Sequence, residues 1–444
     1  MMKLLLPFFL FFLLSVSISA QSEYYFPPLS GSDWESKSPA DLGWCPEKLD
    51  SLHAFLEEKQ TRSFIVLHEG RIVLEYYFGN ASETSFWYLA SAGKSVMGFM
   101  IGMAQEQGLL DIEDPTSTYL GAGWTDCPPE KEELITVWNQ ITMTSGLDDE
   151  VEIPGVLDPS NCLDPECLVY LADAGTRWAY HNAPYRLTQD LLAEVSGNTI
   201  NQVTAGFLNQ RIGSALFWLD HVCWGKARDA ARFGLLTLNR GVWDTDTLMY
   251  DQNYFDQMTN TSQSLNKSYG YLWWLNGKES FMLPGLQLVF PGPIFPDAPE
   301  DLFAALGLND QKIYVVPSMD MVVIRQGDSA GDPVAAASSF DNQLWIKLLD
   351  LSCTTVSAVE EFKKAEIQVS PQPADASVEI RWPGLSDVNQ YQLFDRQGRL
   401  MASGQINAFA QQLTLDSASY PAGVYILQLI GSQSTFTQKV LISR

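Results

Sequence analysis

The chain predicts an α+β protein, an antiparallel sheet flanked by helices, followed by a small C-terminal all-β sandwich. Three observations carry that expectation. Strand-like runs stand early, at 63–68 and 71–78, and late, at 269–275, 313–317 and 321–326, with helical periodicity between. One sheet completed from both ends of the segment fits that order. A stretch opening at Leu89 reads as a helix apolar almost all round, hence a buried one. Beyond a charged junction at 363–366 the texture changes to short alternating strands.

In chain order, Met1-Met2-Lys3, the apolar run 4–16 and Ser-Ile-Ser-Ala read as a secretory signal peptide cleaved after Ala20. No later run is long and apolar enough to cross a bilayer. The stretch 21–40 is an extended lead-in, 46–59 a helix, and Glu69-Gly70 the turn of a hairpin. The Leu89 helix, with Met97, Met100, Ile101 and Ala104 at helical spacing, stops at Gly108. Helices are expected at 135–147, 187–195, 203–212, 227–239 and 343–351, with 227–239 covering the site. In the last segment Val378, Ile380 and Trp382 alternate with charged residues, and 424–430 is a central strand. The domains are then 1–20 leader, 21–352 main body, 353–366 linker and 367–444 sandwich.

A net charge of −26 repels nucleic acid and anionic membrane surfaces and says nothing about a substrate. Six cysteines in an exported chain point to disulfides, with Cys162 and Cys167 the best short loop. Only four histidines are present and none stands in a metal-ligand spacing, so no metal or organic cofactor is expected.

The chemistry centres on Ser91 and Lys94. Three positions apart on a helix, they share a face. A serine needs a base to take its proton, and a desolvated lysine near other positive charge is one. A cap serine and a snorkelling lysine would leave the same pattern, as the copy Ser264 to Lys267 in a polar loop shows. Downstream, Tyr180-His181-Asn182 is the chain's one Y-x-N, ahead of a helix ended by Ser196-Gly197. Such a Tyr can act as phenolate-like base or as leaving-group acid, and the Asn can hold lysine and substrate carbonyl.

Together with "GLLDIEDPTSTYLGAGW", "ITMTSGLDD", "YGYLWWLNG" and "AALGLNDQKIYVVPSMDMVVIRQGD", these motifs resemble the β-lactamase/transpeptidase-like serine hydrolases. That group includes class C β-lactamases, D,D-peptidases, esterases and aminohexanoate-oligomer hydrolases. The resemblance covers roughly 42–351. It implies Ser91 as nucleophile, Lys94 as general base, Tyr180 as proton shuttle and Asn182 as substrate-positioning residue. It also implies a β-lactamase-like fold and no cofactor. The family's third motif, K-T-G or a His-based equivalent, is absent, and Ala305-Leu306-Gly307-Leu308 stands in its place. Loss of that cation weakens carboxylate recognition, which favours ester or linear-amide substrates. Gly307 and Leu308 remain as substrate-binding backbone, the Leu308 N–H pairing with that of Ser91 as an oxyanion hole.

The segment "YQLFDRQGRL" and the ending "YPAGVYILQLIGSQSTFTQKVLI" resemble the C-terminal sorting domain of type IX secretion in Bacteroidetes. That implies type IX machinery as partner and a secreted or surface-attached product. Gly327 to Gly331 fits G-x-S-x-G, but the last histidine, His221, precedes Ser329, so an α/β-hydrolase triad has no usual order. The leading expectation is an exported ester- or amide-cleaving enzyme acting on a small molecule. The alternatives are a penicillin-binding or D,D-peptidase/β-lactamase-type cell-wall protein, and a catalytically silent surface binding domain.

Overall fold

The computed structural model describes residues 24–153, 158–330, 337–353, 367–383, 388–396, 398–407, 410–431 and 435–443. The expected leader, nearly all of the expected linker and Gly331 lie outside these residues.

The body is built on a six-stranded antiparallel sheet. Helix α1 (Pro46–Glu58), with proline at its first position, leads into strands β1 (Thr61–His68) and β2 (Arg71–Tyr77). Glu69 (φ 51°) and Gly70 (φ 79°) both take the left-handed region at the turn between them, as a two-residue hairpin needs. β3 (Trp87–Ala90) then runs into the turn holding Ser91, and helix α2 (Gly93–Glu106) follows. Helix α3 (Asn182–Ser196) ends at Gly197, whose φ of 64° caps it. β4 (Phe217–Leu219) and β5 (Val222–Gly225) form a small sheet with β3. Helix α4 (Ala227–Leu238), β6 (Trp274–Leu275), β7 (Phe303–Gly307), β8 (Gln311–Val316), β9 (Met321–Gly327) and helix α5 (Ser339–Leu349) complete the body. The sheet order is β2-β1-β9-β8-β7-β6, so strands from both ends of the segment meet at β1 and β9, Ile65 opposite Ile324.

Alternation along β8 assigns the two faces. Ile313 meets α4 at Gly234, and Tyr314 packs edge-on to Trp345 of α5, 5.5 Å between ring centroids. On the α5 side Phe55 of α1 stacks on Phe340 at 5.7 Å. Helix α2 is buried along almost its whole length: Met97, Met100 and Ile101 are fully inaccessible. Each such side chain contributes about 1.5–3 kcal/mol of transfer free energy.

Several expected elements differ. The helix expected at 135–147 is only Val137–Ile141, because Met143 takes φ 61° and breaks the ladder. The strand expected at 269–275 shrinks to Trp274–Leu275, as Leu272 also has positive φ (61°). The buried helix begins at Gly93, since Leu89 and Ala90 belong to β3. The segment expected to cover the site, 227–239, is a core helix packed on β1, β8 and β9. The expected 203–212 helix belongs to a longer helical run from Ile200 to Ile212, interrupted by a π turn at Ala205–Asn209.

The C-terminal segment forms two antiparallel sheets. One contains Gln368–Ser370, Ser377–Arg381 and Gln412–Asp416; the other contains Val388–Phe394, Leu400–Gln405, Gly423–Gly431 and Thr435–Ile442. Val378, Ile380 and Trp382 from the first pack with Leu427, Leu429 and Val440 from the second in a core of their own.

Cys162 is disulfide-bonded to Cys167, and Cys45 to Cys353 across 308 residues. The Cys353 N–H also donates to Gly43 O at 2.7 Å, beside this disulfide. Cys127 and Cys223 are free thiols. Closing so long a loop restricts the unfolded chain. The double variant Cys45→Ser/Cys353→Ser should lose about 2–5 kcal/mol of stability, measured by denaturant unfolding against wild type without reductant.

Candidate active site

The small sheet β3-β5-β4 delivers the serine. Ala90 lies opposite Cys223, and its φ of 48° bends the chain out of the strand into the turn holding Ser91. Gly93 permits this close seat, because a Cβ there would sit 2.5 Å from Cβ of Cys223. Lys94 then lies on the first turn of α2, buried at 3% exposure.

Lys94 Nζ is 2.9 Å from Ser91 Oγ and donates to Asn182 Oδ1 at 2.8 Å. Asn182 opens α3, so the helix start fixes the amide that fixes the lysine. The Tyr180 and Tyr185 rings flank the amine, 4.7 and 4.5 Å from Nζ to their centroids. The Tyr180 ring also stacks on the Trp274 indole, 5.7 Å between centroids, and Ser91 and Trp274 both act on its phenol. Trp273 instead stacks on Phe233 in the core. Ser91, Lys94, Tyr180 and Asn182 therefore meet in one place, although 88 residues separate Lys94 from Asn182.

Electrostatics sort the proton donors from the acceptors. Burial, and secondarily the charge of Arg186, holds the Lys94 amine well below the usual lysine range, which favours a neutral, basic nitrogen. Burial pushes the Tyr180 phenol up, against the lowering effect of Ser91 and Trp274. Tyr180 thus stands as a neutral phenol rather than a phenolate. His181, between the two motif residues, is driven down to about 4, chiefly by burial, so it is neutral at neutral pH.

Gly307 closes the other side. A Cβ there would lie 2.3 Å from Leu89 O and 3.1 Å from Ala92 N, so only glycine lets β7 approach the serine turn this closely. Leu308 follows directly, a residue 55% exposed. Ala305 is fully buried opposite Ile313. Lys312 on the neighbouring strand does not replace the missing cation: it is inaccessible and held by Asp310 and Asp341, toward α5. Among the described residues no cluster of metal-binding side chains occurs.

Sequence reading missed Arg186 and Tyr185. Both were findable, because Arg186 lies one helical turn past Asn182 and shares its face. Its guanidinium is half-buried and donates to Asn161 O at 3.4 Å. Arg186→Gln removes a positive charge that disfavours protonated Lys94. The acid limb of kcat/KM should therefore move to higher pH, read from a pH–rate profile with a neutral ester.

The decoy motifs take ordinary roles. Lys267 of the second S-x-x-K pairs with Glu279 in a surface loop. Ser329 follows the end of β9, and His221 sits at the β4–β5 turn.

Residues 54–205, which include all four side chains of the cluster, match the family described as Beta-lactamase. Residues 368–443 match the secretion system C-terminal sorting domain. A putative penicillin-binding protein, PbpX, of Bacillus subtilis (strain 168) is 30% identical over 128 residues, 29% of this chain. The match spans 31% of that protein's length. A putative 6-aminohexanoate-dimer hydrolase from Bacillus anthracis has a similar structure, with TM-score 0.55 and 19% identity over 71% of this chain and 87% of that one. A putative β-lactamase from Bacteroides dorei superposes with TM-score 0.53 and 14% identity, over 70% of this chain and all of that one (100%). At these identities the structural likeness establishes the fold alone.

Proposed function

Because the chain joins a β-lactamase-family domain to a secretion-system C-terminal sorting domain, we propose that it is an exported serine hydrolase cleaving an ester or amide through an acyl-enzyme on Ser91. The observation that carries this is the 2.9 Å approach of a buried lysine amine to the serine hydroxyl, with the charged form of that amine disfavoured. Ser91 Oγ attacks the carbonyl carbon while its proton passes to Lys94 Nζ. The oxyanion is received by the N–H groups of Ser91 and Leu308. Tyr180, whose ring flanks the Lys94 amine at 4.7 Å, carries the proton to the leaving alkoxide or amine, and the C–O or C–N bond breaks. Water then attacks the acyl-enzyme, gives up its proton to the same basic pair, and releases the acid and free Ser91. Asn182 orients Lys94 throughout and can donate through its amide nitrogen to the substrate carbonyl.

The buried Ala305 at the strand position where related enzymes carry a cation supports neutral esters and linear amides over carboxylate-bearing lactams. The penicillin-binding reading draws on the match to the Bacillus subtilis protein. Labelling with a fluorophosphonate and with a fluorescent penicillin, followed by peptide mapping, separates the two. Rapid fluorophosphonate labelling at Ser91, ester turnover and no stable penicillin adduct are expected. A stable penicillin adduct without ester turnover would favour the cell-wall reading, and no label with either probe would leave a binding domain. The sorting domain sends the product to the cell surface or medium through the type IX machinery.

A further inference from the structure

Directly behind Leu308 lies a group of buried charges that the reaction as written does not use. Two consecutive non-glycine residues, Asn309 and Asp310, both hold φ 58°, a conformation that L-residues adopt at a cost. Every carbonyl of that turn is tied. Gln311 Nε2 donates to Leu308 O (3.2 Å) and Asn309 O (2.8 Å), and Arg325 Nη1 to Asn309 O (2.8 Å) and Asp310 O (3.1 Å). The Asp310 carboxylate accepts from Ser338 Oγ at 2.6 Å and the Ala330 N–H at 2.9 Å, and pairs with Lys312 Nζ at 3.2 Å. Lys312 in turn pairs with Asp341 at 2.9 Å, and Tyr314 donates to the same carboxylate at 2.5 Å. Asn309 Nδ2 donates to Tyr88 OH at 2.8 Å, linking the turn to the strand that carries Ser91.

Buried ion pairs of this kind are poor stabilisers, because apolar residues of similar volume do as well or better. A fully satisfied polar network does hold one geometry. An oxyanion donor needs that, since its contribution depends on being aimed before charge develops. We infer that Asp310, clamped by Lys312, Ser338 and the Ala330 N–H, is a positioning residue that holds the strained turn so that the Leu308 N–H faces the oxyanion. This rests on the acyl-enzyme reading.

The test uses the full chain and two variants. Asp310→Asn keeps an acceptor but removes the charge, and Asp310→Gly removes the clamp while relieving the left-handed backbone. In both, kcat for a nitrophenyl ester should fall about tenfold or more with KM within about twofold. Affinity for an alkyl boronic acid, which forms a tetrahedral adduct on Ser91, should fall by the same factor. A purely structural role predicts a lower melting temperature with unchanged kcat and boronate affinity, and that result overturns the inference. Ser338→Ala, which removes one donor to the Asp310 carboxylate, keeps the test alive should the Asp310 variants not fold. A fall in kcat and in boronate affinity by the same factor is expected, and unchanged values of both overturn the proposal. Wild-type labelling at Ser91 without any effect of Asp310 changes refutes only the positioning role, whereas absent labelling refutes the acyl-enzyme reading itself.

Discussion

Ser91→Ala is expected to remove ester hydrolysis, with kcat falling by about 10⁴–10⁶ and fluorophosphonate labelling lost. The magnitude follows from the geometry. Lys94 Nζ stands 2.9 Å from that oxygen, Asn182 holds the amine and the Tyr180 ring flanks it, so without the oxygen the remaining groups have no nucleophile to act through. What survives is binding and whatever oxyanion stabilisation assists direct attack by water. The Ser91 side chain is small and partly exposed, so the variant should fold and melt near wild type. Activity within tenfold of wild type would remove Ser91 from the mechanism.

Lys94→Met should cost about 10²–10⁴ in kcat, because the serine proton then loses the amine that stands 2.9 Å away to take it. It also yields a second, independent reading. In the folded chain the Lys94 amine titrates below its unfolded value, because burial and then Arg186 disfavour its charge. Between those two values the unfolded chain binds a proton that the folded chain does not. Wild-type stability should therefore rise with pH through that window relative to Lys94→Met. Parallel thermal melts across a pH series check the sign. Equal pH dependence in the two proteins would mean that Lys94 is charged in the fold, and the base assignment would fail with it.

The cluster of Ser91, Lys94, Tyr180 and Asn182 was legible in the sequence because the chemistry proposed for it depends on residue types at short spacing. Ser91 and Lys94 are three apart, Tyr180 and Asn182 two apart, and both pairs are fixed by a local turn running into a helix. The long strands were legible too, since β1 and β9 are runs of β-branched and apolar residues bounded by turns. What escaped was set by non-local contact. β3, β4 and β5 have only three or four residues each, too few to show alternation, and they hold together by pairing across the chain. The helix expected at 135–147 has convincing periodicity, yet Met143 turns left-handed where Thr142 and Thr144 engage backbone and each other. The buried charges behind Leu308 are scattered over 310, 312, 325 and 341, and nothing in their spacing says that they meet. The role expected for 227–239 failed because its charged residues do not mark a solvent face: Asp229 and Arg232 are buried while the helix packs on the sheet.

The sulfur link from Cys45 to Cys353 turns the body into a covalent ring, with the sorting segment hanging outside it. A protease that nicks any surface loop between those two positions leaves both pieces attached. One that cuts at 354–366 frees the tail and leaves the ring whole. On a non-reducing gel, only the second event should change the mass of the species carrying the serine.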